Sequence, residues 1–224
     1  MIPMISNLVP SQPDDRDYPY IPTPKILESF ISLRQWAGDR KNQLAAGSCT
    51  ANATVNGCEV FTDRATAPVR LSRQFVYDQT RILENRRGQT GAYLRDALKV
   101  TQKYGVPLEI EYPYRNTEET LTPPEEVMTL AAQRKLTRYE RIPMGVIYGE
   151  RRRNAALIRS ALSEGCPVVV GMRVGQLIFG LIGPLAQQHY CPVSDTLNSH
   201  AGLHSVCIME WNDAHGFVAE NSWG

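Results

Sequence analysis

Cys49 lies in the run NQLAAGSCTANA, Asn42 to Ala53, and is the residue of this chain best suited to covalent chemistry. Gly47-Ser48 breaks the chain just before it, and a helix-like pattern starts at it. A thiol is a poor nucleophile until it becomes a thiolate, a form favoured by a helix N-terminus and by a nearby imidazolium. The competing reading is a structural thiol, since free cysteine often packs as a small hydrophobe. An imidazole must come from His189, His200, His204 or His215. His204 is the candidate, because it opens the strand-like run HSVCIMEW, which turns back into GFVAENSWG. Such a hairpin brings Asn221 alongside His204, where its amide can accept from one ring nitrogen and orient the imidazole. Trp223 can shield that bond from water. Gln43, six residues before Cys49, can set a side-chain N–H near the Cys49 backbone N–H, and two such donors make an oxyanion hole.

These groups need elements to hold them. A helix is expected from Cys49 to about Asp63, with Ala51, Val55, Cys58 and Thr62 on one face. A second follows a Ser72 cap, with Phe75, Gln79, Ile82 and Leu83 spaced for it. A third starts near Tyr93 and ends before Gly105. Pro123-Pro124-Glu125-Glu126 reads as a helix start, and Asn154 to Glu164 as a short helix stopped by Gly165. Val168–Val170, Ser205–Trp211 and Gly216–Asn221 read as strands, the last two joined by the turn 212–215. Helices first and strands later give an α+β fold. Residues 1–25, rich in Pro, Asp and Tyr, read as an extended arm or mobile tail, 26–115 as a mainly helical domain, and 116–224 as a sheet-rich domain.

The bulk composition narrows the function. A chain of 224 residues with net charge +1 gives no basic footprint for nucleic acid and no pull to an acidic membrane. Arg151-Arg152-Arg153 reads as a solvated face. The apolar tract Pro167–Ala186 is broken by Arg173, Gln176 and Pro184, and reads as a buried strand and loop rather than a membrane span. Five cysteines without regular spacing point to a reducing compartment, and no secretory signal stands at the N-terminus, so a cytoplasmic monomer is expected. Cys58, Cys166 and Cys207 are expected to pack in the core.

Taken together, these parts resemble the papain-like cysteine peptidases. The resemblance is carried by Gln43 six residues before Cys49, by GSC before a helix, by His204 on a strand and by the ending NSWG. It extends to the segment GAYLRDALKVTQKYGVPLEIEYPY, and it is closest to the microbial branch reading QLGSCTANA. It implies a helical domain packed against a β-barrel-like sheet domain, with the active-site cleft between them. Cys49 would be the nucleophile, His204 the base and acid, Asn221 its orienter and Gln43 the oxyanion donor. Gly91 would offer its backbone to an extended peptide substrate, and Met172 and Trp223 would also contact it. No cofactor is required.

Departures accompany the match. Thr50 replaces a tryptophan, Leu44 a common glycine and Glu210 another glycine. Ala46 and Gly88 stand where secreted members carry a disulfide pair. The resemblance also implies further strands after Gly224, so a fragment or an unusual end is expected, with an uncovered sheet edge. The length ahead of Cys49 is expected to exclude a long inhibitory pro-region, while residues 1–25 could still lie in or beside the cleft. Other readings stay open. His189, Cys191, His200 and His204 are acceptable zinc ligand types. The same cleft could hold peptides without cutting, and the same triad serves acyl transfer or isopeptide cleavage.

Overall fold

The computed structural model describes residues 8–11, 14, 17–65, 69–142, 151–175 and 200–224. Strand β1 (Leu8–Val9) leads into β2 (Phe30–Ser32), α1 (Cys49–Ala65), α2 (Arg73–Leu83), β3 (Ala92–Tyr93), α3 (Leu94–Lys103), α4 (Glu125–Ala131), α5 (Arg151–Ser163), β4 (Val168–Gly175), β5 (His200–Asn212) and β6 (Gly216–Glu220). Helix α2 starts where Ser72 caps it, its hydroxyl accepting from the Phe75 N–H at 3.0 Å. Helix α3 stops as expected at Gly105, whose φ of 84° is left-handed. Arg151–Arg153 form the first turn of α5, which starts three residues before the expected Asn154.

The sheet is built on β5. Strand β4 runs antiparallel to it from Val168↔Ile208 to Gly175↔His200, and β6 pairs with its other edge from Cys207↔Glu220 to Asn212↔Gly216. Strand β2 continues the β4 side, with Ser32 opposite Glu210. Among the described residues this is an open four-stranded sheet and not a closed barrel, which corrects the barrel-like expectation. One correction concerns β5, which begins at His200: His204 lies within the strand rather than opening it. Glu210, left without a reason by the sequence, accepts from Ser32 Oγ at 2.8 Å across that pairing, beside a bulge in β5. The turn after β5 is set by Asn212, whose side chain accepts from the Ala214 N–H at 2.8 Å.

Helix α1 lies on this sheet. At Gly57 a Cβ would meet the Val169 side chain at 3.3 Å, so glycine permits the close approach. Val60, Ile158, Leu162, Cys207, Ile208 and Met209 share that core. A second core, with Val55, Leu71, Val76, Tyr77 and Ala97, joins α1 to α2 and α3. Thus α1 is the element common to the helices and the sheet, and its first residue is Cys49.

Candidate active site

Cys49 is fully buried at the first position of α1. No acidic residue occupies the first turn, so nothing there offsets the positive end of the helix dipole. The loop ahead of it is pinned on several sides. Asn52 donates to Ser48 O at 2.9 Å and Ser48 Oγ at 3.0 Å. Tyr114 donates to Gln43 O at 2.7 Å and meets Ser48 Oγ at 2.8 Å. From the far side, Asn116 Oδ1 accepts from the Ala45 N–H at 3.0 Å, and Glu118 Oε1 from the Gly47 N–H at 2.7 Å.

Gln43 is also fully buried. Its amide nitrogen donates to Ala46 O at 2.9 Å, and its oxygen accepts from Ser222 Oγ at 2.6 Å. Ala46 O can only accept, so the amide orientation is fixed. The backbone repeats the link: Gln43 N–H donates to Ser222 O at 2.7 Å, and Gly224 N–H to Lys41 O at 3.1 Å. The segment around Gln43 is thereby tied to the segment holding Asn221 and Trp223.

His204 is buried, and its Nε2 lies 2.7 Å from Asn221 Oδ1. The Ser222 N–H donates to the same oxygen at 2.7 Å, which fixes the amide orientation. An oxygen cannot donate, so Nε2 carries the proton and Nδ1 holds a lone pair in the neutral ring. Nδ1 has no hydrogen-bond partner among the described residues. Trp223 stacks on the imidazole at a 4.4 Å centroid distance and 30° between planes, the cover expected for the His204–Asn221 bond.

Burial pushes the His204 imidazole below its ordinary range, against the opposing pull of the Asn221 bond. The unfolded chain therefore binds more protons once the pH drops below the usual histidine range. The stability present above that range is lost as pH falls towards the depressed folded value. With Cys49→Ala, which removes the thiolate, urea unfolding is expected to show a lower midpoint at about pH 5.5 than at about pH 7.5. The added change His204→Gln is expected to abolish most of that difference.

The remaining expected residues fall near this centre with some differences. Met172 pairs with His204 across β4–β5 and is partly exposed. Gly91, at φ 79°, spends its N–H on Tyr77 Oη at 3.1 Å. The edge that pairs with another strand is one residue further on, at Ala92 and Tyr93. Thr50, in the tryptophan position, donates to Ala92 O at 3.2 Å and fastens that edge to α1. Leu44, in the common glycine position, has φ 54°. A left-handed non-glycine residue is strained, so Leu44→Gly is expected to raise unfolding stability by up to about 1 kcal/mol in urea titrations.

His215 lies exposed in the hairpin turn. Cys207 is buried; Cys58 and Cys166 are partly buried. Burial pushes the Cys58 thiol up to about 12 and raises Cys207 still further, so both are inert beside a nucleophile. The zinc candidates His189 and Cys191, and the apolar tract beyond Gly175, lie outside the described residues. Tyr114, Asn116, Glu118 and Ser222 escaped the sequence reading as site residues. Tyr114 and Ser222 sat inside quoted motifs, and that was the available signal.

A family model described as papain family cysteine protease matches residues 32–224. An uncharacterized peptidase C1-like protein of Acanthamoeba polyphaga mimivirus is 28% identical over 213 residues, covering 90% of this chain and 67% of its own. Xylellain, a cysteine protease from Xylella fastidiosa, superposes with a TM-score of 0.83 at 25% identity, over 98% of this chain and 84% of its own. The bromelain protease from Ananas comosus, solved in complex with the E64 inhibitor, has a TM-score of 0.62 at 21% identity, over 88% of this chain and 84% of its own.

Proposed function

The chain belongs to the papain family of cysteine proteases, and on that premise we propose that it is an endopeptidase that cleaves extended polypeptide through Cys49, His204 and Asn221. The observation that carries this reading is the His204–Asn221 bond of 2.7 Å beneath Trp223, which leaves Nδ1 with a lone pair and no partner among the described residues. That nitrogen takes the proton of the Cys49 thiol, and the thiolate attacks the scissile carbonyl. The Cys49 N–H and the Gln43 side-chain amide hold the oxyanion. His204 then protonates the leaving amine, and a water activated by the same ring hydrolyses the acyl-enzyme. The substrate backbone lies along the edge at Ala92 and Tyr93, between that edge and Met172. Trp223 keeps water from the His204–Asn221 bond, where a competing donor would let the ring turn. The nucleophile needs a reducing setting, because a thiolate is the form that oxidises.

The test is intact-protein mass after brief exposure to a peptidyl-epoxide inactivator. A single adduct at Cys49, with Cys58 and Cys207 untouched, is the expected result. Equal labelling of several cysteines, or none, would reject an activated thiol.

A further inference from the structure

Arg73 opens helix α2, directly after the Ser72 cap. A cation in the first turn faces the positive end of the helix dipole, so the helix itself gives no reason for an arginine there. The reason lies in what the side chain touches. Its partly buried guanidinium reaches out of α2 to the loop ahead of Cys49. Nη1 donates to Asn42 O at 3.0 Å and to Asn52 Oδ1 at 3.1 Å. The same guanidinium lies over the Tyr114 ring, 3.9 Å from its centroid, in a cation–π contact.

The proton directions through this cluster are set from the arginine end. A guanidinium only donates, so Asn52 Oδ1 faces Arg73. Asn52 Nδ2 then faces Ser48 and donates to its carbonyl and its hydroxyl at 2.9 and 3.0 Å. Tyr114 has one hydroxyl hydrogen, and it goes to Gln43 O at 2.7 Å, because a carbonyl only accepts. The 2.8 Å contact between Ser48 Oγ and Tyr114 Oη is therefore donated by Ser48. Arg73, Asn52, Ser48, Tyr114 and Gln43 O thus form one chain of hydrogen bonds with a single polarity. Bonds aligned in this way polarise and strengthen one another.

The two donors assigned to the oxyanion are the Gln43 amide and the Cys49 N–H. The residues directly before them are Asn42 and Ser48. A peptide unit is planar, so holding Ser48 O sets the direction of the Cys49 N–H in the same plane. Holding Asn42 O likewise sets the plane whose N–H, at Gln43, donates to Ser222 O. Arg73 holds the first of these carbonyls through Asn52 and the second directly. Asn42 also bridges to Trp223, the residue stacked on His204.

We infer that Arg73 is a positioning residue for the oxyanion hole, fixing the spacing of its two donors from α2 through Asn42 and Asn52. The role rests on the peptidase reading of Cys49. It concerns the carbonyl oxygen of the substrate and not the activation of the thiol, so loss of Arg73 separates the two.

The test compares the full chain with Arg73→Met, which keeps the stem and removes the donors. Iodoacetamide reports on the thiolate alone: sulfur displaces iodide, and no oxyanion forms. A peptide aldehyde reports on the hole. The Cys49 sulfur adds to its carbonyl carbon, the π pair moves to oxygen, and that oxygen takes a proton from the imidazolium. Aldehyde affinity is read as protection of Cys49 from iodoacetamide. Arg73→Met is expected to weaken the aldehyde about tenfold, less than outright loss of a donor would, and to change the iodoacetamide rate less than about twofold. Arg73→Lys is expected to recover only part of the affinity, because one ammonium cannot span Asn42 O, Asn52 Oδ1 and the ring. Unchanged aldehyde affinity overturns the role, as does full rescue by lysine, which would make charge the cause. Equal losses for both reagents also overturn it, since they would mean that Arg73 only supports the fold. Each of these outcomes leaves the peptidase reading standing. Unselective labelling of the unaltered chain, with no protection by the aldehyde, rejects that reading and this role with it. If Arg73→Met fails to fold, Tyr114→Phe, which removes only the hydroxyl from the chain of bonds, is expected to weaken the aldehyde about threefold at an unchanged iodoacetamide rate, and no shift overturns the proposal.

Discussion

Cys49→Ala is expected to lower peptide hydrolysis by about four orders of magnitude or more, with little change in unfolding stability. The first half follows from the chemistry: without the sulfur there is no acyl-enzyme, and the oxyanion donors alone return only a small share of the rate. The second half follows from the setting. Cys49 is buried at a helix start whose neighbours are held by Asn52, Tyr114 and Glu118. His204→Ala is expected to cost nearly as much, and the double variant no more than either, because the two groups act as one unit. The measurement is kcat/KM on a fluorogenic peptide library, alongside urea unfolding of each variant. Additive losses would mean that the two residues act separately. A Cys49→Ala chain that still cleaves would remove this thiol from the reaction.

Sequence legibility followed the range of the interactions. The helices at Cys49, Arg73 and Leu94 were readable because their signals are local: a Gly-Ser break, the Ser72 cap, and Gly105 at the end of the third. The hairpin that brings Asn221 to His204 was readable for the same reason, since its turn residues lie between two apolar runs. Strand β2 was not. Phe30-Ile31-Ser32 has no alternation long enough to register, and becomes a strand only because β5 extends past the end of β4 and offers a free edge at 210–212. Strand β1 depends in the same way on Ala92 and Tyr93, more than eighty residues away. Nothing local says that the Gly91 N–H belongs to Tyr77, or that strand pairing begins one residue later at Ala92. Glu210 gained a reason only when Ser32 arrived opposite it. Composition alone also hides Arg81, an arginine on a helix whose burial is decided by a distant loop.

That arginine carries the second large expectation. Arg81→Ala is expected to destabilise the fold by about 3–5 kcal/mol, a large part of the 5–15 kcal/mol that roughly holds a domain together. Arg81 is fully buried and stacks on Tyr77 at 3.7 Å from the ring centroid. It donates to Asp78 Oδ1 at 3.0 Å, Glu118 O at 2.7 Å, Glu119 O at 3.2 Å, Gln89 O at 3.3 Å and Glu118 Oε2 at 3.1 Å. Asp78 keeps Tyr112, Gln74 and Arg115 after the change, so it is not stranded. The three backbone carbonyls lose their shared donor, and a burial-sized cavity opens beside Tyr77. Arg81→Lys is expected to recover less than half of the loss, because a single ammonium cannot reproduce the planar fork that spans these acceptors. The damage should also reach the active site, since Glu118 is the residue that holds the Gly47 N–H and the Tyr77 hydroxyl beside Gly91. Urea unfolding and the peptidyl-epoxide rate at Cys49 are the two readouts, and both are expected to fall together. Loss of stability with an unchanged epoxide rate would mean that the loop at Asn116–Glu118 does not position the nucleophile. A stability loss under about 1 kcal/mol would mean that water replaces the guanidinium in this core.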